Sequence, residues 1–390
     1  MNNCEVNNHV HTVYSFSPYT PTDAISKAKE AHLSAVGIMD HDSVAGIKEM
    51  LSAGEKYDMP VTCGFEIRVN FSDTPFENRL INAPGMPNIA YIALHGVRES
   101  ALDECNAFLH PISIEREKRN IEMTERANSL LTPFGIKYID YFKDVKSLSM
   151  ADCGGSVTER HLLLAISNAL IEKNGYGEKL VDFLVNQLHL TIPTKKEGYL
   201  LDKDNPHYIY DLLGVLKTDF LDTIFVQPNE KECINVKLLP EFADKIGAIL
   251  VYAYLGDVDE SPTGDKKAEK FEDEYLEEFV KHIKQIGFHG ITYMPPRNTK
   301  KQLEFISQLA KKNELMEISG VDINSSRQSF NCPEILFPQF AHLLTATWAL
   351  IGHESVKIDD GLFSENATQK YPSLTERINY FASVGKEKRG

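Results

Sequence analysis

The chain has 390 residues, 42% of them hydrophobic and 25% charged, and this ordinary globular composition excludes a disordered or collagen-like chain. The formal net charge of −15 argues against non-specific binding to nucleic acid or anionic lipid, which depends on clustered Lys and Arg. No apolar run approaches the ~20 residues of a membrane span and the start, MNNCEVNNH, is too polar for a signal peptide, so we expect a cytoplasmic protein without a membrane partner.

The first portion of the chain alternates short apolar runs with helical patterns, which is typical of parallel βα units. The segment Thr20-Pro21-Thr22-Asp23 predicts a helix start with proline in the first turn, leading into AISKAKEAH. The strands predicted in this portion are Glu5–His9, Ala35–Asp40, Val61–Glu66 and Ile89–His95.

The middle of the chain, from about Leu102 to Pro240, has the three-and-four spacing of apolar residues that indicates helices. The segments with this spacing are IEREKRNIEMTERANSLL, TERHLLLAISNALIEK and EKLVDFLVNQL. A chain of this length exceeds the usual size of one domain, about 100–200 residues, so we expect the middle block to be a helical insertion.

The later portion returns to alternating strands and helices. It contains three strand candidates, which brings the total to seven, and they are Ala248–Tyr254, Gly290–Met294 and Leu315–Val321. The helical stretches are FEDEYLEEFVKHIKQ, TKKQLEFISQLAKKN and, near the end, PQFAHLLTATWALIGH. The expected division is therefore a first α/β part over 1–101, a mainly helical insertion over 102–240, a second α/β part over 241–328 and a helical extension over 329–390.

A histidine pair at the end of the first strand is the first sign of chemistry. His9 and His11 are two residues apart, so in a strand both side chains leave on one face and can chelate one ion. Taken alone, such a pair more often lies on the surface or in the core by chance than serves as a set of metal ligands. Its position at a strand end favours the metal interpretation.

Other strand candidates also end in residues that can bind metal. The carboxyl ends of parallel strands converge on one pocket in a barrel-like α/β enzyme, so a metal cluster is predicted there. Asp40 and Asp42 have a simpler interpretation as caps of the next helix, but this does not explain the His and Glu residues, which are costly to bury unpaired. The strand-end residues are Asp40-His41-Asp42, Gly64-Phe65-Glu66, His95-Gly96 and Asp322.

These motifs together resemble the polymerase and histidinol phosphatase (PHP) superfamily. The resemblance rests on the order of HxHT with a following Ser, then MDHDS, GFE and LHG, and on a closing segment that runs from HGITYMPPRN to ISGVDIN. The segments RNIEMTERANSLL and VTERHLLLAI resemble the helical insertion of its small-molecule phosphoesterase branch. The resemblance spans roughly Val6 to Ser326.

The resemblance implies an α/β fold, a distorted (βα)7 TIM-like barrel with a helical insertion domain, whose pocket holds up to three divalent ions. The first ion is implied to use His9, His11, Glu66 and Asp322. The second shares Glu66 and adds His95 and a histidine that is replaced here by Tyr254. The third takes His41 and two positions occupied here by Phe16 and Asn324.

Three of the implied ligand positions are thus substituted, and only the first site is complete. We therefore predict a metal-dependent phosphoesterase of a small phosphorylated metabolite, with at least one divalent ion (Zn, Mn or Fe) in a reduced cluster. Imidazole and carboxylate ligands accept all three metals. His41 is the candidate general acid or base, and Tyr254 is a candidate hydrogen-bond donor to a phosphoryl oxygen.

The substrate phosphate needs positive or neutral donors around the pocket. Arg160, in the motif TERH, is the favoured contact because its planar fork suits phosphate, with Arg297 and Arg119 as weaker candidates and Asn324 as a neutral one. Each arginine also has a simple interpretation as a solvated surface charge.

Two other functions remain open. The three substituted positions are consistent with a catalytically weakened PHP domain that binds metal and a phosphorylated ligand or partner without turnover. A nuclease or proofreading module is disfavoured, because the chain is acidic and contains no basic tract.

Overall fold

The computed structural model describes residues 5–258 and 270–388. All seven predicted strands form in these ranges, β3 continues past Glu66, and the sequence patterns do not predict the short β5. The strands are β1 (Val6–Val10), β2 (Ala35–His41), β3 (Val61–Asn70), β4 (Ile89–His95), β5 (Ile234–Asn235), β6 (Ile249–Ala253), β7 (Gly290–Tyr293) and β8 (Met316–Ser319).

The same ranges contain fourteen α-helices and three π-helical turns, and the π-helical turns are Tyr141–Val145, Phe183–Gln187 and Leu216–Phe220. The α-helices are α1 (Pro21–Glu30), α2 (Ile47–Lys56), α3 (Leu102–Leu131), α4 (Glu159–Asn174), α5 (Glu178–Asp182), α6 (Thr194–Leu201), α7 (Tyr208–Val215), α8 (Leu221–Ile224), α9 (Leu239–Ile246), α10 (Leu276–Gln285), α11 (Lys300–Lys312), α12 (Ala341–Glu354), α13 (Glu365–Lys370) and α14 (Leu374–Glu387).

Helix α1 begins at the predicted proline because the residues before it satisfy the first backbone amides. The Thr20 side chain accepts a hydrogen bond from the Asp23 amide at 3.0 Å, and the Asp23 carboxylate accepts one from the Thr20 amide at 3.2 Å. This reciprocal capping fixes the chain direction immediately after the loop that follows His11.

Seven strands form a nearly closed sheet in the order β1-β2-β3-β4-β6-β7-β8, and β5 pairs with β3 outside this path. The segment after β8 reaches β1, since Ile323 donates its amide to the His9 carbonyl at 3.1 Å and accepts from the His11 amide at 2.9 Å. The predicted α/β fold with a distorted TIM-like barrel is confirmed.

Strand β4 departs from the expected parallel arrangement, because it runs antiparallel to both β3 and β6. A parallel neighbour requires a crossover that is usually a helix, and residues 71–88, which connect β3 to β4, contain none. His95 therefore lies opposite Gly64, further from the carboxyl end of β3 than Glu66 is.

Helix α12 closes the other end of the barrel. Glu354 at its last turn accepts a hydrogen bond from the amide of Cys63 near the start of β3, at 2.9 Å. The Asn8 side-chain amide donates to Thr347 of this helix at 2.8 Å. Apolar residues of the strands and of α12 fill this part of the barrel; they include Met39, Ala93, Val251, Ile318, Ala346, Ala349 and Leu350.

The helices between β4 and β6 have a hydrophobic cluster of their own, which extends from Met123 to Ile224 and also includes Phe16 from the loop after β1. A buried ion-pair network links these helices to the barrel. It consists of Arg68 on β3, Arg116 and Arg119 on α3, Asp42, Glu159 and Glu232. The predicted boundaries at 101, 240 and 328 stay predictions.

In the part of the chain that the structure describes, no helix combines the length and the apolar character needed to cross a membrane.

Candidate metal centre

A bulge in β1 brings the histidine pair into the barrel. Asn7 pairs with Val36 and Val10 with Ile38, so three steps along β1 match two steps along β2. Such a bulge re-aims the side chains of the extra residue and its neighbour. It lies at Asn8 and His9, which allows Asn8 to reach α12 while His9 faces Glu66.

Gly320 allows the segment after β8 to approach this bulge closely. A Cβ atom at position 320 would lie 2.6 Å from the Cβ of His9 and 2.7 Å from its backbone nitrogen. Any larger residue would push the chain away from β1. The glycine therefore helps to hold Asp322, two residues later, next to His11.

Three predicted ligands lie together. Ligand atoms of His9, His11 and Glu66 all lie within 4.8 Å of one another, and all three residues are buried. The Nε2 atom of His9 is 3.5 Å from Oε1 of Glu66. An ion between these three groups would have two imidazoles and one carboxylate, a donor set that suits Zn, Mn or Fe.

Two further predicted ligands contact this group. Asp322 Oδ1 lies 3.2 Å from Nε2 of His11, and Nδ1 of His41 lies 3.2 Å from Oε2 of Glu66. The parallel register of β2 and β3 pairs His41 directly with Glu66. The Glu66 carboxylate therefore stands between His9 on one side and His41 on the other.

Buried ring nitrogens without hydrogen-bond partners favour a bound cation here. Among the described residues, both ring nitrogens of His95 are buried and have no hydrogen-bond partner, and Nε2 of His11 is buried against the Asp322 carboxylate, 3.2 Å away. Buried polar atoms without a partner are rare and costly in proteins. A divalent ion at His9, His11 and Glu66 would bind Nε2 of His11 and the Asp322 carboxylate that faces it.

His95 is buried but does not join the close group. It shares an inward face with Ala93, opposite Gly64, because β4 is antiparallel. Burial, and to a lesser extent the nearby His9, lowers the pKa of His95 to about 3. His95 is therefore a neutral imidazole, and its role as a second-ion ligand stays a prediction.

The ionisable ligands are perturbed in different directions. Burial, helped by the neighbouring His11, lowers the pKa of His9 to about 4, and burial raises the pKa of Glu66 to about 8. Burial opposes the charge on His11, but the Asp322 carboxylate outweighs it and raises the pKa of His11. Burial likewise opposes ionisation of Asp322, but His11 and His9 hold its pKa well below the usual range.

Metal uptake is expected to release protons. Glu66, with a pKa of about 8, holds a proton at neutral pH that an ion must displace, and the raised pKa of His11 strengthens the competition between protons and the ion. The affinity for Mn²⁺ should therefore rise at least about tenfold per pH unit from pH ~6 to ~8 and then level off. Calorimetry in two buffers with different ionisation enthalpies measures the protons released, and release of none at pH 7 contradicts this prediction.

Hydrogen bonds behind the pocket hold His11 in place. Ser15 Oγ lies 3.3 Å from Nδ1 of His11 and donates to Asp40 at 2.6 Å. Asp40 also accepts from the amide and hydroxyl of Thr12, at 2.6 and 2.5 Å. Partners of this kind set the orientation of a ligating imidazole. Asp40 thus supports His11.

Arg160 and Asn324, both predicted to bind substrate, contact each other beside the metal ligands. Nη1 of Arg160 donates to Oδ1 of Asn324 at 2.6 Å, and Nδ2 of Asn324 donates to Oδ1 of Asp322 at 2.7 Å. The third predicted contact, Arg297, donates from Nε to the Leu255 carbonyl at 3.2 Å. The structure therefore brings the first two residues to the pocket, whereas the described contact of Arg297 is with backbone.

Tyr254 points elsewhere. Its side chain is only 1% exposed and its hydroxyl donates to Asp273 at 2.6 Å. On β6 the inward residues are Ile249 and Val251, and Tyr254 instead belongs to the cluster between strands and outer helices. The expected hydrogen bond to a phosphoryl oxygen is not available to it in this conformation.

Tyr254→Phe is accordingly expected to lower stability by about 1 kcal/mol, the usual contribution of one hydrogen bond, and to leave turnover within about twofold. Urea unfolding and steady-state kinetics on the same preparation measure the two effects. A loss of activity above tenfold with unchanged stability would return Tyr254 to the active site.

The sequence motifs miss Tyr91, which lies at the pocket. Tyr91 and Arg68 lie opposite each other in the β3–β4 ladder, and the Tyr91 ring lies 5.5 Å from that of His41. Tyr91, Ala93 and His95 occupy alternate positions on β4, so the two-residue period of a strand places Tyr91 on the same face as His95. Predicting that Tyr91 lies beside His41 also requires knowing that β4 is antiparallel to β3.

Comparison with known proteins agrees with the fold. The family profile of the PHP domain matches residues 7–290. Curated proteins contain no match to the chain. A structure from Bifidobacterium adolescentis, provisionally named a metal-dependent phosphoesterase, superposes with a TM-score of 0.53 and 17% identity, over 85% of this chain and 93% of that one. An amidohydrolase from Chromobacterium violaceum, solved with sulfate and no metal, gives a TM-score of 0.52 and 16% identity, over 87% and 95% of the two chains.

Proposed function

The chain belongs to the PHP domain family, and from this premise we propose that it is a metal-dependent phosphoesterase that hydrolyses a small phosphorylated metabolite. The observation that carries the proposal is the convergence of His9, His11 and Glu66, whose ligand atoms lie within 4.8 Å of one another. The fold that it shares with the Bifidobacterium protein supports the same class of reaction.

The proposed ion is held by His9, His11, Glu66 and Asp322, and it is Zn²⁺, Mn²⁺ or Fe²⁺. When bound, it would supply Lewis-acid chemistry to a phosphoryl group. His95 is the candidate donor for any additional ion. The cluster is reduced relative to the family resemblance, because Phe16, Tyr254 and Asn324 stand at three of its ligand positions.

His41 is the proposed general base. Its pKa lies well below the usual value, first because of burial and then because of His11, so its imidazole is neutral near pH 7. Nδ1 faces Glu66 at 3.2 Å, which orients the ring, and the side chain keeps 29% exposure. A neutral, partly accessible imidazole beside the ion site is able to take a proton from water.

Substrate is proposed to contact the insertion as well as the barrel. Arg160 on α4 is the proposed phosphate contact, with Asn324 beside it and Arg297 as a weaker candidate. The Tyr91 ring, next to His41, is a further surface for the organic part of the substrate. A charged guanidinium that lies next to the ion site would bind the oxygens of a phosphoryl group.

A second candidate function has one specific observation in its favour. Phe16 packs edge-on against His161 at 5.0 Å and near Tyr210 at 6.1 Å, so an apolar ring fills a position where the family resemblance implies a ligand. A domain that binds one ion and a phosphorylated ligand without turnover would tolerate this change.

An assay separates the two functions. Purified protein is analysed for bound metal and then tested on a panel of phosphomonoesters with added Mn²⁺, Zn²⁺ or Fe²⁺. Turnover that disappears in His41→Ala while the metal content stays constant supports the esterase. Full metal content with no hydrolysis of any ester supports the binding domain.

A further inference from the structure

The side of the pocket around His41 has fewer metal donors than the side around His9. Its two clear donors are Nδ1 of His41 and Oε2 of Glu66, which lie 3.2 Å apart. Further round the pocket, Phe16 offers no donor atom, and Oδ1 of Asn324 is taken by Arg160. An ion on this side would need more ligands than these residues leave available.

A guanidinium occupies this donor-poor side. Arg160 donates to Asn324 at 2.6 Å, and Asn324 in turn donates to Asp322 at 2.7 Å, so the charge is connected to a proposed ligand through one amide. Its Cζ atom lies 5.9 Å from the centre of the Phe16 ring. The amide and the aromatic ring together define where the guanidinium lies.

The helix that carries Arg160 adds to its placement. Arg160 lies in the first turn of α4, where the Thr158 amide donates to Nδ1 of His161 at 3.0 Å and helps to cap the helix. The neighbouring Glu159 does not neutralise Arg160, because its Oε1 is engaged by Arg68 at 2.9 Å and by Arg119 at 2.6 Å. The positive end of α4 and the charge of Arg160 therefore lie together.

The charge of Arg160 opposes a further cation on this side of the pocket. A divalent cation beside His41 would be repelled by this charge, inside a pocket where screening is weak.

We propose that Arg160 is a fixed positive charge that takes the place of the ion implied at His41, so that the working centre is one divalent ion and one guanidinium. The inference rests on the proposed function, because it concerns the same pocket. Its expected consequence is a single tight metal equivalent in the unmodified protein.

The test is metal stoichiometry, which does not depend on turnover. Metal-free protein is titrated with Mn²⁺ by calorimetry, and the bound ions are followed by electron paramagnetic resonance, in which two neighbouring Mn²⁺ ions give a coupled spectrum. Arg160→Gln keeps a donor for Asn324 and removes the charge. We expect one equivalent in the unmodified protein, and in Arg160→Gln a second equivalent that binds at least about tenfold more tightly than any second ion in the parent.

Three matched variants control the result. Arg160→Lys keeps the charge and should still bind one ion, and Arg160→Met should behave as Arg160→Gln does. Arg126→Gln removes an exposed arginine of α3 that pairs with Glu122, and should leave the stoichiometry at one. Circular dichroism confirms that each variant is folded, and the unmodified protein tests the stoichiometry even where a variant does not fold.

Each result has a distinct meaning. Two or more tight ions in the unmodified protein overturn the inference, and so does a single ion in both Arg160→Gln and Arg160→Met. In both cases the proposed esterase stands if phosphomonoesters are hydrolysed. Absence of any metal binding overturns the inference and the proposed function together.

Discussion

His9→Ala is expected to abolish metal retention and, with it, hydrolysis. His9 supplies one of the three close ligand atoms, and burial keeps its imidazole neutral at working pH, with a pKa of about 4. Loss of a residue that merely supports a ligand already costs about 10–100-fold in affinity, so loss of a ligand should cost more than about 100-fold. Mn²⁺ titration and phosphomonoester kinetics measure the two effects.

The control is His110→Ala, which removes an exposed histidine from α3 and should change neither metal affinity nor turnover. Circular dichroism and thermal unfolding establish that both variants fold. If His9→Ala kept full affinity for Mn²⁺ while folded, His9 would not be a ligand and the proposed centre would lie elsewhere.

Glu232→Ala is expected to produce the largest loss of stability, about 3–5 kcal/mol. Glu232 is 1% exposed and accepts hydrogen bonds from Arg68 at 2.7 Å, Arg116 at 3.1 Å and Arg119 at 2.6 Å. Without it, Asp42 and Glu159 are left to balance three buried guanidinium groups. Removing one partner of a buried ion pair is costly because it leaves a charge uncompensated.

Urea unfolding of Glu232→Ala, followed by far-ultraviolet circular dichroism, measures the free energy of unfolding. Glu122→Ala is the matched control, because Glu122 is exposed on α3 and pairs only with Arg126 among its described ion-pair partners. Its effect should stay below about 0.5 kcal/mol. A Glu232→Ala variant as stable as Glu122→Ala would show that the network does not join the insertion to the barrel.

The strands were accessible from sequence because each is a short apolar run with its own start and stop signals. The sequence does not predict strand β5, because Ile234 and Asn235 form a strand only by pairing with Val69 and Asn70. The sequence does not predict the direction of β4 either, since an apolar run has the same pattern in a parallel and in an antiparallel strand. Direction depends on the connection, and the long β3–β4 loop has no helix signal that separates a crossover from a hairpin.

The sequence predicts the metal ligands as well as it predicts the ends of the strands that carry them. His9, His11 and Glu66 follow from barrel geometry, in which the ends of neighbouring strands meet. Asp322 also follows, because the segment after β8 returns to β1. Placing His95 and Tyr91 requires the antiparallel register of β4, which brings Tyr91 beside His41 and leaves His95 deeper in the barrel.

The sequence does not predict which contacts the residues at the substituted positions make. Sequence identifies Phe16 and Asn324 as departures from the family resemblance, but not what replaces the missing ligands. Arg160 and Asn324 are 164 positions apart, and their hydrogen bond depends on how the insertion packs onto the barrel. Tyr254 illustrates the same limit, since its direction is set by Asp273 on the far side of the strand.

The most direct test of the central claim is anomalous diffraction from crystals grown with Mn²⁺, recorded on both sides of the manganese absorption edge. The account predicts a peak about 2.0–2.3 Å from a ring nitrogen of His9, a ring nitrogen of His11 and a carboxylate oxygen of Glu66, with Asp322 completing the coordination. A peak at another place in the chain, or an ordered pocket without one at saturating Mn²⁺, would contradict it.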